Sequence, residues 1–115
     1  MRADDAPVLQ IEIESQPAKT VVQCTGKINT NSWTEFSTTV RKLIPEGKTI
    51  RVDLSKVTQI DSTGIGTLVQ VWAAAKKSEL DLKYVNPHKN VEDVIRITKL
   101  FPLFEIPEQG VVAAD

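Results

Sequence analysis

Apolar and polar residues alternate at the start of the chain in a way that predicts two β-strands. In the first segment Leu9, Ile11 and Ile13 alternate with polar residues, which is the period of a strand with one solvated face. In the second segment Val22 and Cys24 fall on one side, again with a polar residue between them. A proline-containing turn separates the two segments, so we expect them to form a hairpin.

Three later segments carry apolar residues at helical spacing, which predicts three helices. Their apolar positions are, in chain order, Trp33, Phe36, Val40, Leu43 and Ile44; Ile65, Leu68, Val69 and Trp72; and Val91, Val94 and Ile95. Pro45 and Gly47 end the first run, because proline cannot continue a helix and glycine commonly follows one. We expect all three stripes, with both tryptophans, to pack in the core.

Period-two alternation returns between and after these helices. The alternating apolar positions are Ile50, Val52 and Leu54 in one segment and Leu80, Leu82 and Tyr84 in the next. The apolar segment 100–106 predicts a short last strand, interrupted by Pro102. Strands with one polar face, joined by helices with a single apolar stripe, imply an α/β fold in which a mixed sheet carries its helices mainly on one face.

The length of the chain bounds the number of domains, and its charge bears on nucleic-acid binding. A chain of 115 residues forms one domain. Its 14 lysines and arginines are balanced by 15 aspartates and glutamates, and the basic residues do not cluster densely. We therefore do not expect the protein to bind nucleic acid.

Cysteine content and hydropathy bear on the compartment. Cys24 is the only cysteine, so no internal disulfide can form, and we interpret its thiol as a small buried core group. Residues 1–7 lack the apolar run of a signal peptide, and no window approaches the ~18 apolar residues of a membrane span. We expect a cytoplasmic protein without direct membrane insertion.

Side chains for catalysis or metal binding are scarce. His88 is the only histidine, and we interpret it as a surface residue. Without a second histidine or cysteine, the sequence contains no usual zinc site and gives little support for a Ser-His-Asp triad. Gly64 and Gly66 do not complete a phosphate-binding loop, because the lysine of that motif is missing. We expect no catalytic residues, no metal and no cofactor.

The most informative segment is Asp61–Gly66, with the sequence Asp-Ser-Thr-Gly-Ile-Gly, which opens the second predicted helix. A helix N-terminus presents unpaired N–H groups and the positive end of the helix dipole, so it can hold a carboxylate, a hydroxyl or a phosphate. The same residue types are also ordinary helix caps. The loop 26–32 ends a neighbouring strand, at the edge where α/β sheets often meet ligands and partners.

Taken together, these motifs resemble the STAS domain family. The resemblance is carried by Asp53–Ser55 at the end of a strand, a short connection, and Asp61–Gly66 at the start of a helix, while Gly26–Asn29 looks like the family's Gly-x-Leu-Asp loop. It extends over roughly residues 8–107 and implies a largely parallel sheet of four or five strands that begins with a hairpin. We expect a STAS domain at 8–108 between flexible ends at 1–7 and 109–115.

The resemblance also implies a function. In STAS proteins of the anti-sigma factor antagonist type, the hydroxyl residue before the motif's glycine is phosphorylated; that residue is Thr63 here, with Ser62 as the alternative. The unphosphorylated protein would bind an anti-sigma factor with serine/threonine kinase activity and release a sigma factor, and a PP2C-type phosphatase would reset the switch. Such switching regulates transcription in bacterial stress responses. The expected partner-binding residues are Asn29, Thr30, Asp61, Ser62, Thr63, Gly64, Ile65 and Thr67.

Two positions depart from the family pattern. The acceptor is threonine rather than the commoner serine, which adds a methyl group that a kinase must accommodate. The loop aspartate of the family is Asn29 here, which keeps hydrogen-bonding ability but loses a charge that could orient the kinase or its metal ion.

Other functions are compatible with the same residues. The chain could be a non-enzymatic STAS subunit docked permanently in a stressosome or in a lipid-transporting ABC complex, in which case Thr63 is only a helix cap. A nucleotide-binding protein is permitted by the helix N-terminus, but the usual lysine and metal carboxylates are missing. A homodimer is compatible with each of these functions.

Overall fold

A computed structural model describes residues 7–105, in which strands and helices alternate. The elements are β1 (Leu9–Ser15), β2 (Lys19–Ile28), α1 (Trp33–Arg41), β3 (Thr49–Ile60), α2 (Ser62–Lys77), β4 (Leu82–Val85) and α3 (Lys89–Thr98), with short 3-10 turns at Ile44–Glu46 and Phe101–Leu103. The predictions of flexible ends at 1–7 and 109–115, and of a boundary at residue 108, fall on or next to residues outside the described range.

The four strands of the described region form one sheet in the order β1-β2-β3-β4. β1 and β2 are antiparallel, with Ile11 opposite Cys24, as the hairpin prediction requires. β2 pairs with β3, and β3 with β4, in parallel. The prediction of an α/β fold with a mixed, largely parallel sheet is therefore confirmed. The parallel pairing brings the C-terminal ends of β2 and β3 to the same edge of the sheet.

The hydrophobic core lies between one face of the sheet and the helices. Val22, Val52 and Tyr84 are partners across β2, β3 and β4, and all three are fully buried. The helices contribute Phe36 and Val40 of α1, Leu68, Val71 and Ala75 of α2, and Val91 and Ile95 of α3. The alternate strand positions, such as Gln23 and Asp53, are only half-buried on the opposite face. The helices thus pack mainly on one face, as expected.

The third strand is longer than predicted, and the last predicted strand is wrong. β3 continues through Ser55 to Ile60, with register shifts against β2 that place both Ser55 and Lys56 on the surface. These register shifts interrupt the alternation of apolar and polar residues, which is why the alternation predicts too early an end for β3. The segment 100–106 instead begins with a 3-10 turn, because Pro102 fixes its own φ and has no N–H to pair. In place of a strand, an isolated bridge pairs Phe104 with Tyr84 of β4.

Two predictions about the first helix are also corrected. α1 ends at Arg41, and the chain reaches Ile44 only in a separate 3-10 turn, since a residue that precedes proline disfavours the α conformation. Trp33 was expected in the core but is 37% exposed. Helical side chains lean toward the helix N-terminus, so the side chain of this first residue reaches past the end of the packed part of α1.

The core face of α2 is rotated from the predicted stripe. Its buried residues are Gly64, Thr67, Leu68, Val71 and Ala75. Ile65, Val69 and Trp72, which were expected in the core, are half-buried on the flank of the helix. Since almost every residue from 64 to 75 is apolar or small, periodicity did not define one face.

Candidate functional site

The first turn of α2 is capped by Asp61 at the C-terminal end of β3. Asp61 has an extended backbone, and its Oδ1 accepts a hydrogen bond of 2.8 Å from the Gly64 amide. The Ile65 amide donates to the Asp61 carbonyl at 2.9 Å and closes the first helical turn. Capping by Asp61 fixes where α2 begins and therefore where the two hydroxyl residues that follow it lie.

Thr30, in the loop between β2 and α1, connects this cap to the hydroxyl of Thr63. The amide and the Oγ1 of Thr30 both donate to Asp61 Oδ2, each at 3.2 Å. Thr30 Oγ1 also lies 3.4 Å from Thr63 Oγ1. Because a carboxylate can only accept, the single hydroxyl proton of Thr30 goes to Asp61, and Thr63 donates to Thr30. The order of donation is thus Thr63 to Thr30 to Asp61.

These contacts favour the ionised form of Asp61. The Gly64 amide has the largest effect on the pKa of Asp61 and, together with smaller contributions from the amide and hydroxyl of Thr30, holds it below its usual range against the opposing effect of desolvation. The site therefore carries a fixed negative charge beside the two hydroxyls.

The loop that carries Thr30 is anchored from within. Ser32 is 4% exposed, and its Oγ donates to the Lys27 carbonyl at 2.7 Å and accepts from the Asn29 amide at 3.0 Å. Asn29 Oδ1 accepts from the Asn31 amide at 2.9 Å. The side chain of Asn29 is thus engaged within its own loop, and Thr30, rather than Asn29, makes the hydrogen bond to Thr63.

Gly64 lets α2 approach the end of β2 closely. A Cβ at this position would lie 2.2 Å from the Ile28 carbonyl oxygen and 2.7 Å from Ile60 Cγ1. Glycine is needed here for space, since no side chain fits between these atoms. By contrast, a Cβ at Gly66 would meet nothing within 4 Å.

The predicted site residues differ in how far they reach the surface. Thr30, Asp61 and Ser62 are exposed, while Asn29, Thr63 and Ile65 are half-buried. Gly64 and Thr67 are buried, and Thr67 Oγ1 donates to the Thr63 carbonyl at 2.8 Å. The exposed and half-buried residues can meet a partner directly, whereas Gly64 and Thr67 support the turn from below.

A polar cleft of about 490 Å³ lies next to the cap. It is lined by Asn29, Thr58, Gln59, Ile60, Asp61 and Asn90. Asn90 Nδ2 donates to the Thr58 carbonyl at 2.9 Å, which joins the start of α3 to the last part of β3. The sequence does not point to Thr58, Gln59 or Asn90, because the alternation of β3 ends before Thr58 and nothing in the sequence joins α3 to this edge.

Comparison with known proteins identifies the family. A sequence profile of the STAS domain matches residues 10–110. The chain belongs to the STAS domain family. Among solved structures, this STAS domain is similar to the anti-sigma factor antagonist SpoIIAA in its unphosphorylated form, with a TM-score of 0.70 and 17% identity over 90% of this chain and 93% of that chain. This STAS domain is also similar to an anti-sigma factor antagonist from Mycobacterium paratuberculosis, with a TM-score of 0.74 and 21% identity over 94% of this chain and 96% of that chain.

The STAS domain also resembles part of a much larger protein. SLC26A9 matches with a TM-score of 0.62 and 17% identity over 74% of this chain but only 16% of the other chain. Within residues 7–105 no helix is long and apolar enough to cross a membrane. In the same range, no three histidine, cysteine, aspartate or glutamate side chains group in a way that could hold a metal ion.

Proposed function

We propose that this STAS domain is an anti-sigma factor antagonist, a non-enzymatic binding module of the bacterial cytoplasm that is switched by phosphorylation of Thr63. The observation that carries the proposal is the placement of Thr63 in the first turn of α2, half-exposed and hydrogen-bonded through Thr30 to Asp61. Similarity in fold to two anti-sigma factor antagonists supports it. A structure of SpoIIAA in the phosphorylated form has the same fold, with a TM-score of 0.65.

The start of α2 is suited to a phosphate. A phosphothreonine carries close to two negative charges, and the first amides of a helix have no intrahelical acceptor. In α2 the Gly64 amide is taken by Asp61, which leaves the amides of Ser62 and Thr63 to face an added anion. The helix dipole favours that charge as well. Phosphorylation should therefore change the surface far more than the fold.

The proposed switch acts on a partner interface. The unphosphorylated domain binds an anti-sigma factor with serine/threonine kinase activity, which frees a sigma factor. If the interface covers Thr63, burying the new charge beside Asp61 costs about 3 kcal/mol, which lowers affinity roughly a hundredfold. The phosphorylated domain then dissociates from the anti-sigma factor, and a PP2C-type phosphatase removes the phosphate and restores the unphosphorylated domain. The contact surface comprises the turn of α2 and the loop with Asn29 and Thr30.

The proposal is tested on protein recovered from its own cells. Site-resolved phosphopeptide mass spectrometry, with and without stress, should find phosphate on Thr63 whose occupancy changes with the stress. A Thr63→Val variant is the matched control, because it keeps the branched shape and removes only the hydroxyl. If the peptide is well covered in all conditions and carries no phosphate on Thr63 or Ser62, the switch is refuted.

A permanently docked subunit is the second candidate function. It is favoured by the match to SLC26A9, where a domain of this fold makes up a small part of a larger chain. In a stressosome or a lipid-transporting ABC complex, Thr63 would serve only to start α2. If the domain is a permanently docked subunit, the same assembly should be recovered with wild-type protein and with Thr63→Val, in stressed and in unstressed cells.

A further inference from the structure

We propose that Thr30 is a positioning residue that selects Thr63 over Ser62 as the acceptor of the phosphate. The inference rests on the proposed function and deepens it, because it assigns the choice between two adjacent hydroxyls to a residue from another part of the chain. Thr30 lies 33 residues before Thr63, and the two meet only because β2 and β3 run in parallel to the same edge of the sheet.

The hydroxyls of Thr63 and Ser62 differ in their hydrogen bonding. Thr63 Oγ1 has a hydrogen-bond partner 3.4 Å away, whereas Ser62 is exposed and its side chain makes no hydrogen bond within residues 7–105. A serine hydroxyl without a partner is free to rotate among its staggered positions. A threonine hydroxyl that donates in a fixed direction presents its remaining electron pairs in a fixed direction too.

That fixed direction matters for phosphoryl transfer. Thr63 Oγ1 bonds to the terminal phosphorus of ATP held by the kinase, and the bond from that phosphorus to ADP breaks with its electron pair on ADP. The hydroxyl proton leaves its hydrogen bond to Thr30 Oγ1 and passes to a basic group of the kinase. Transfer is catalysed mainly by positioning, so an acceptor oxygen that is held in place reacts faster than one that rotates.

Thr30 is held firmly enough for this role. Its amide donates to Asp61 independently of its hydroxyl, and the loop around it is fastened by the buried Ser32. Asn29 makes no hydrogen bond to Thr63, and its side-chain oxygen accepts from the Asn31 amide instead. Removal of the Thr30 hydroxyl alone should therefore release Thr63 Oγ1 while leaving the loop attached to the start of α2.

The test compares the ratio of phosphate on Thr63 to phosphate on Ser62 in full-length variants produced in the native cells. Thr30→Val removes the hydroxyl and keeps the branched shape and the amide. Thr30→Ser keeps the hydroxyl, and Thr34→Val makes the same chemical change at an exposed threonine of α1. We expect Thr30→Val to lower the ratio roughly threefold to tenfold, the range that one neutral hydrogen bond supports. Thr30→Ser and Thr34→Val should keep the wild-type ratio.

The outcomes separate this inference from the proposed function. Phosphate on wild-type Thr63 with an unchanged ratio in Thr30→Val overturns the role of Thr30 and leaves the switch standing. The role of Thr30 is likewise overturned if wild-type phosphate is mainly on Ser62, or if Thr30→Ser gives the same ratio as Thr30→Val. It is also overturned if Thr30→Val no longer folds, because the Thr30 hydroxyl would then be needed for the structure itself. Absence of phosphate from both residues in the wild type overturns the switch and this inference together.

Discussion

The carbonyl oxygen of Ile28 occupies the space that a side chain on Gly64 would need. A Cβ on Gly64 would lie 2.2 Å from that oxygen, which is shorter than any ordinary contact. The end of β2 and the first turn of α2 are therefore in direct backbone contact. This contact sets the distance between the loop that carries Thr30 and the turn that carries Thr63, and so the geometry of the candidate site depends on it.

Two glycine substitutions on α2 should consequently have opposite effects. Gly64→Ala should destabilise the domain by about 2 kcal/mol or more, because the backbone of β2 or α2 must shift to make room. Gly66→Ala meets nothing within 4 Å and should be neutral or stabilise by up to about 1 kcal/mol through helix propensity. Urea denaturation of both variants checks this. Equal effects at the two positions would contradict a tight contact at Gly64.

Much of the fold could be predicted from the sequence because local patterns determine it. The hairpin follows from period-two alternation, and the starts of α2 and α3 were close to those expected from apolar spacing. The errors about which side chains are buried have a common cause, which is that burial depends on partners that lie far along the chain. Trp33 has the right spacing for a core residue but is 37% exposed, and α2 has apolar residues on more than one side.

The candidate site was predicted in part for the same reason. Asp61 and Thr63 are close together in a recognisable motif, so they could be found by inspection. The hydrogen bond from Thr63 to Thr30 could not be predicted from the sequence, because it depends on the register of β2 against β3 and on the turn made by Ser32. The sequence placed Thr30 on the binding surface without indicating which atom it contacts, and the family pattern pointed to Asn29 instead.

Asp61 should make the stability of the domain depend on pH. Its pKa is lower in the folded state than the value of about 3.9 in an unfolded chain. Its charge therefore adds stability above that value, and the contribution is lost as the pH falls through the folded-state pKa. Asp61→Asn keeps a capping oxygen but removes the charge.

The difference in melting temperature between the wild type and Asp61→Asn should thus be greatest at about pH 5–7 and shrink below about pH 4. Other carboxylates titrate in both proteins and cancel in this comparison. A difference that stays constant from about pH 3 to pH 7 would mean that the charge of Asp61 adds nothing beyond its capping geometry.

Cys24 should be inert in the folded protein. It is fully buried in β2, and burial, followed by the charge of Asp53, raises the pKa of its thiol to about 12. At about pH 8 a thiol reagent such as DTNB should react with the native protein on the order of a thousandfold more slowly than with the urea-unfolded chain, because reaction requires opening of the core. The chain has a single cysteine, so the signal reports this site alone. Rapid labelling of native protein would show that the face of β2 against the helices is open.

Thr63→Asp should separate folding from binding. An aspartate at the second position of a helix is favoured by the dipole, so we expect stability within about 1 kcal/mol of the wild type, measured by urea denaturation. Thr34→Asp makes the same change at the second position of α1 and serves as the matched control for stability. Affinity capture from the native cells should then recover a kinase-type partner with wild-type protein and with Thr63→Val, but not with Thr63→Asp. Recovery of the same partner with Thr63→Asp would mean that a charge at this turn does not control the interface. A large loss of stability in Thr63→Asp would mean that Thr63 is packed too tightly to act as a surface switch.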